Sequence, residues 1–91
     1  MKKTSSNKYG IYDAVTHEGL SNYPYFIEWD ATFEDGGFHL FDTKEDAVHA
    51  ALELTKLFLE SDKNCEIRWQ IVEISQIIEI KQLVKVVDEI V

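Results

Sequence analysis

Residues 43–60, TKEDAVHAALELTKLFLE, predict an amphipathic helix around which the rest of the chain can pack. Thr43, or Asp42 before it, can cap this helix by accepting a hydrogen bond from an amide of the first turn. Glu45 and Asp46 add negative charge beside the positive end of the helix dipole. One apolar face follows at helical spacing, with Ala47, Ala51, Leu54 and Phe58. Because further apolar residues flank this face, the helix is expected to contact a sheet and a second surface beside it.

The composition describes one small domain without covalent or metal cross-links. The chain has 91 residues, of which 45% are hydrophobic, and its single cysteine, Cys65, allows neither an internal disulfide nor a multi-cysteine zinc site. Residues 1–7 are expected to form a flexible polar tail and residues 8–91 a single α+β domain. The sequence has no signal-peptide pattern and no apolar run long enough to span a bilayer, so a cytoplasmic location is expected.

Alternating apolar residues predict strands on both sides of the helix. Residues 23–33 are the clearest case, because every second residue from Tyr23 to Phe33 is apolar. Residues 65–74 follow the helix and place apolar side chains on one face, namely Ile67, Trp69 and Ile71. The apolar faces are expected to pack against the helix, with both tryptophans, Trp29 and Trp69, in the core.

Turn-forming residues predict how these strands are connected. Residues 8–15 are expected to form an edge strand, and residues 16–22 a loop. Residues 34–37, Glu-Asp-Gly-Gly, predict a hairpin turn because these residues tolerate positive φ. Residues 38–41 are then the returning strand, which leads directly into the helix.

The C-terminal residues combine two signals. Their apolar residues repeat at intervals of three and four, which is typical of a helical seam, although Ile and Val favour strands: Ile77, Ile80, Val84, Val87 and Val91. Length and spacing favour a second helix over residues 76–91. The predicted fold is α+β, an antiparallel sheet of three to four strands with helices packed on one face, in the order β-β-β-α-β-α.

Negative charge is the strongest compositional signal, with a formal net charge of −8. Direct binding to nucleic acid is not expected, because phosphates repel such a surface. The acidic residues concentrate between residues 28 and 46, where seven carboxylates stand against one base, Lys44: Glu28, Asp30, Glu34, Asp35, Asp42, Glu45 and Asp46. A field of one sign attracts basic partners and accelerates their encounter.

These features predict a small acidic, non-enzymatic protein-interaction module that binds a basic surface of another protein. The contact surface would combine Phe26, as an apolar anchor, with the seven carboxylates just named. In its most concrete form the protein is an inhibitor and DNA mimic of the phage or mobile-element type, a decoy that occupies the nucleic-acid-binding surface of an enzyme. The plainer interpretation is that the acidic face only keeps a small protein soluble.

Two alternatives stay open. Surplus apolar surface on both predicted helices indicates a homodimeric assembly module, with an interface through Leu57, Ile80, Val84 and Val87. A small metal-binding protein or hydrolase would instead use its histidines, His17, His39 and His49. However, His17-Glu18 lacks the second histidine of a metalloprotease helix, since Ser21 occupies that position. No motif identifies catalytic residues, a metal site or a cofactor, and enzyme activity is not expected.

Overall fold

A computed structural model describes residues 7–76 and 82–90, and in this part of the chain a five-stranded antiparallel sheet packs against one helix. The elements are β1 Lys8–Asp13, β2 Glu18–Asn22, β3 Glu28–Ala31, α1 Lys44–Ser61, β4 Trp69–Gln76 and β5 Gln82–Ile90. The strands lie in the order β3-β2-β1-β4-β5, so β1 is central and β3 and β5 are the two edges. The mixed α+β class is as predicted.

The helix α1 confirms the prediction from residues 43–60. Thr43 has an extended backbone, and its hydroxyl accepts a hydrogen bond from the Asp46 amide at 3.0 Å, as an N-cap does. Ala47, Ala51 and Leu54 are completely buried, so the apolar spacing identifies the buried face. This face packs over β1, β4 and β5.

The main core lies between α1 and the sheet and is centred on Trp69. This side chain is only 1% exposed, and its ring lies 5.2 Å from the Trp29 ring and 5.3 Å from the Phe58 ring. Ile11 of β1 and Leu20 of β2 are fully buried in the same cluster. The aromatic side chains therefore fill the space between the helix and the strands, as predicted for Trp29 and Trp69.

A second, smaller cluster covers the opposite face of the sheet, where Phe38 lies over two glycines. A Cβ atom built on Gly19 would lie 2.2 Å from the Phe38 ring, and one on Gly10 would lie 3.1 Å from it. The absence of side chains at these positions lets the ring lie directly on the backbone of β1 and β2. The cluster also contains Ala31, Val72 and Ile74.

The segment that carries Phe38 is held by hydrogen bonds to both of these strands. The His39 amide donates to the Leu20 carbonyl at 2.8 Å, and Phe41 and Tyr9 exchange backbone hydrogen bonds of 2.7 and 2.9 Å. Residues 38–41 were predicted to be a strand, which is wrong, since their only β-bridge is the isolated one between Phe41 and Tyr9 and the His39 hydrogen bond does not extend it into a ladder. The preceding turn is confirmed, with positive φ at Gly36 and Gly37.

The predicted C-terminal helix is also wrong, because residues 82–90 form β5. This strand pairs with β4 from Gln82 opposite Gln76 to Ile90 opposite Trp69, with a bulge where β5 passes Ile71 and Val72. β-Branched residues suit a strand, and β4 offers them a partner along its whole length. The observed order is therefore β-β-β-α-β-β; Ile77, Ile80 and Val91 lie outside the described residues.

Other strand predictions also differ in position or extent, and the strand expected over residues 65–74 begins only at Trp69. β1 was expected at an edge but is central, between β2 and β4. Residues 16–22 were expected to form a loop, yet residues from Glu18 onward form β2. Residues 23–33 form a strand only over Glu28–Ala31: Pro24, which has no amide hydrogen to donate to a ladder, begins a bend, and a turn begins at Phe33.

Candidate interaction surface

The loop between β2 and β3 exposes two large aromatic side chains. Tyr25 is 94% exposed and Phe26 is 71% exposed, and Ile27 beside them is also exposed. At the base of the loop, the Tyr23 hydroxyl donates to the Glu53 carboxylate of α1 at 3.3 Å. Burial, followed by the charge of Glu53, raises the pKa of Tyr23. Adjacent exposed apolar residues of this size typically mark an interaction site.

Four of the predicted carboxylates follow this loop along the chain, two on β3 directly after it and two on the turn at the far end of β3. Glu28 and Asp30 are exposed on the edge strand, and the Asn22 side-chain amide donates to Glu28 at 2.6 Å. Glu34 and Asp35 are exposed on the turn, where the Asp35 amide donates to the Thr32 hydroxyl at 2.9 Å. Within residues 7–76 and 82–90, the ion pairs involve none of these four carboxylates.

We call this area the β3-edge surface; it comprises Tyr25, Phe26, Glu28, Asp30, Glu34 and Asp35. Phe26 is exposed, as the predicted anchor must be, whereas Tyr25 was expected to face the helix with the rest of the 23–33 alternation. Tyr25 is exposed because the strand begins only at Glu28. Pro24 directly before Tyr25 is the sequence signal that could have revealed this.

The other three predicted carboxylates lie apart from the β3-edge surface, at the start of α1. The Lys8 ammonium donates to Asp42 at 2.7 Å, and this hydrogen bond holds the pKa of Asp42 below its usual value. Glu45 and Asp46 occupy the first turn of α1. Lys44 in the same turn pairs with Asp88 of β5 at 3.3 Å, which places the start of the helix toward the opposite edge of the sheet. The structure thus divides the predicted contact set into two groups.

Two further carboxylates have lowered pKa values. A hydrogen bond from the Asn7 side-chain amide, 2.9 Å long, is the main cause for Glu73. For Asp88 the main cause is a 2.8 Å hydrogen bond from the Glu89 backbone amide, followed by the contact with Lys44. In both cases the folded protein stabilises the ionised carboxylate.

These shifts predict a loss of stability in acid. The carboxyl groups of Asp42, Glu73 and Asp88 have lower pKa values folded than unfolded, so the unfolded chain binds protons first. The contribution of these groups to the free energy of unfolding is complete at neutral pH. It is lost as the pH falls from about 5 through the lower folded pKa values. Urea unfolding across this range should give a falling midpoint in the wild type and a smaller fall in Asp88→Asn. If the urea midpoint fell equally in both proteins, Asp88 would not contribute to the loss of stability in acid.

The three histidines do not form a common site. His17 is in a turn with a φ of 65°, His39 contacts the rings of Tyr23 and Phe41, and His49 lies 3.9 Å from Glu53 on the exposed face of α1. In the described part of the chain, no group of three or more His, Cys, Asp or Glu residues is arranged to hold a metal ion.

The predicted dimer residues do not share one face. Leu57 is half exposed on α1, Val87 packs against the helix-side core, and Val84 packs against the cluster on the opposite face of the sheet. The two valines face different sides because their segment is a strand rather than a helix. Ile80 lies outside the described residues, and the homodimer stays a prediction.

Comparisons of the chain with protein-family models, curated proteins and solved structures give no match. Among the described residues, no helix combines the length and the apolar content needed to cross a membrane. The proposed function therefore rests on the side chains of the β3-edge surface.

Proposed function

We propose that the protein is an acidic interaction module that binds a basic surface of another protein through the β3-edge surface. The observation that carries this proposal is the pair of exposed aromatic side chains, Tyr25 and Phe26, directly before β3, together with four exposed carboxylates on β3 and its following turn that have no ion pairs in the described residues. The carboxylates Asp42, Glu45 and Asp46 at the start of α1 are a separate group and are not needed for this contact.

The two kinds of side chain would act differently in binding. Aromatic residues are enriched among those that dominate interface energies, because they bury a large area with few rotatable bonds. Carboxylates that remain exposed contribute less to affinity but steer a basic partner toward the surface. A partner with an apolar pocket surrounded by Lys or Arg would bind the aromatic side chains in the pocket and attract the carboxylates around it.

A nucleic-acid-binding protein is the partner class that we propose. Its binding groove is basic because it neutralises phosphates, and carboxylates placed along a rigid strand and turn can occupy the same positions. The protein would then act as a decoy inhibitor without catalysis of its own. A cytoplasmic location, where such partners occur, belongs to the same proposal.

Charge reversal on β3 tests this function. Asp30→Lys with Glu34→Lys should weaken binding to the partner by at least about tenfold, since opposed charges become repulsive. The partner is first captured from host lysate at low salt, and its affinity for each purified variant is then measured by calorimetry with DNA as competitor. The matched control, Glu45→Lys with Glu89→Lys, has the same net charge and changes two exposed carboxylates at the start of α1 and on β5.

Three results would refute the proposal. They are equal weakening in both double variants, binding that DNA does not compete, and affinity that does not fall with salt. The first would assign the effect to net charge alone, as expected for an acidic face that only keeps the protein soluble. Circular dichroism of each variant confirms that the sheet is retained.

A further inference from the structure

The sheet has a second edge, β5, on the side opposite to the β3-edge surface. This strand runs from Gln82 to Ile90, and in the described residues it has a hydrogen-bonded neighbour on one side only, β4. Backbone amides and carbonyls on the free side of an edge strand are available to another extended chain. β5 has nine residues and β3 has four, so β5 offers the longer template.

The flank of α1 nearest β5 is apolar. Val48, Leu52 and Leu59 follow at steps of four and seven, which places them on one side of the helix. Leu52 is 51% exposed and Leu59 is also exposed, whereas the buried face of α1 points to the main core. Val48 and Leu52 form an apolar strip on this flank, and both line a groove that Asp88 of β5 also lines.

A groove of about 420 Å³ separates this strip from β5. It is lined by Lys44, Glu45, Val48, His49, Leu52 and Asp88. Asp88 lies on the helix side of β5, as its ion pair with Lys44 at 3.3 Å shows, and Val87 beside it packs against the main core. Edge strand, apolar helix flank and carboxylates thus meet in one groove, which we call the α1–β5 groove.

We propose that the α1–β5 groove binds an extended segment of a partner protein, which adds to the sheet beside β5. The segment would carry a large apolar residue against Leu52 and Val48, and a Lys or Arg toward Glu45 and Asp88. Backbone hydrogen bonds to β5 give the contact its direction, and the side-chain contacts select the sequence. This site is separate from the β3-edge surface and goes beyond the proposed function.

Charge complementarity favours a basic partner segment over a second copy of this chain. Asp88 has Lys44 as its ion-pair partner, whereas Glu45, the other carboxylate of the groove, takes part in no ion pair within the described ranges. A second copy carries the same formal net charge of −8 and is therefore repelled. A basic segment is attracted to the same surface.

A peptide selection tests this proposal. A random peptide library displayed on phage is selected against the wild-type protein, and the enriched sequence is then synthesised. We expect alternating apolar and basic residues, and slower hydrogen exchange of β5 amides when the peptide is bound. Leu52→Asp should weaken binding by at least about tenfold because it places a charge against the apolar residue. The matched control is Leu57→Asp, since Leu57 is 50% exposed on the opposite flank of α1.

Three results would overturn the proposal. They are a selection that enriches no peptide, an equal loss of affinity in both leucine variants, and hydrogen-exchange changes at β3 rather than β5. A wild-type dimer in light scattering that Leu52→Asp converts to a monomer would show that a second copy occupies the groove. Asp30→Lys with Glu34→Lys should leave peptide binding unchanged, so that this test can fail independently of the proposed function.

Discussion

Replacing Trp69 with alanine is expected to lower the free energy of unfolding by about 3–5 kcal/mol. Trp69 is 1% exposed and contacts the rings of both Trp29 and Phe58, so its removal leaves a cavity bounded by aromatic groups. Small domains have a total stability of only about 5–15 kcal/mol. The variant should therefore be close to unfolded, with a strongly reduced urea midpoint.

Urea unfolding followed by circular dichroism measures this loss. Trp69→Phe keeps part of the ring contact and should fall between the wild type and the alanine variant, which keeps the test informative if Trp69→Ala does not fold. Leu57→Ala is the surface control, because Leu57 is half exposed and its truncation should change stability by less than about 1 kcal/mol. A Trp69→Ala loss no larger than that of the control would refute the placement of Trp69 at the centre of the core.

Replacing Gly19 with alanine is expected to cost about 1–3 kcal/mol, an unusually large effect for one added methyl group. The new Cβ would lie 2.2 Å from the Phe38 ring, a distance that neither group can accept without moving. Gly10→Ala should cost less, because the corresponding distance is 3.1 Å. The ring must shift out of its position over β1 and β2 in the Gly19 variant.

A double-mutant cycle with Phe38→Ala isolates this contact. Without the ring, Gly19→Ala has nothing to displace, so its cost should largely disappear and the coupling energy should be large. Thermal and urea unfolding of the four proteins give the cycle. An equal cost of Gly19→Ala in both backgrounds would show that the cost does not come from the contact with the Phe38 ring.

The parts of the fold that were predicted correctly depend on nearby residues. The cap at Thr43, the acidic first turn and the spacing of Ala47, Ala51 and Leu54 all lie within one segment, and each favours the same helix. The turn at Gly36 and Gly37 is similarly local. Agreement among independent local signals is what makes such predictions succeed.

The parts that were predicted wrongly depend on distant residues. Spacing in residues 76–91 is compatible with a helix, but β4 provides a hydrogen-bonded partner that makes Gln82–Ile90 a strand. β2 lacks an apolar alternation because Gly19 must leave room for Phe38, which comes nineteen positions later, and so its sequence resembles a loop. In both cases tertiary contacts override the local preference.

The candidate sites also differ in whether they depend on nearby or on distant residues. The acidic residues and Phe26 could be named from the sequence, and four of those carboxylates follow Phe26 on β3 and the turn after it. The α1–β5 groove could not be predicted, because it requires Leu52 of the helix and Asp88 of β5 to be brought together. Residues 76–91 as a helix would have left no edge strand there.

The central position of β1 has a consequence for how the chain folds. Its outer neighbours are β2, made directly after it, and β4, made much later: Asn7 beside β1 bonds to Glu73 of β4, 66 positions along the sequence. Such a high contact order slows folding, because the entropy of closing a long loop is lost before the pairing forms. During synthesis, one side of β1 stays unpaired until β4 has left the ribosome. The slow step of folding is therefore expected to be the pairing of β4, with β5, along the free side of β1.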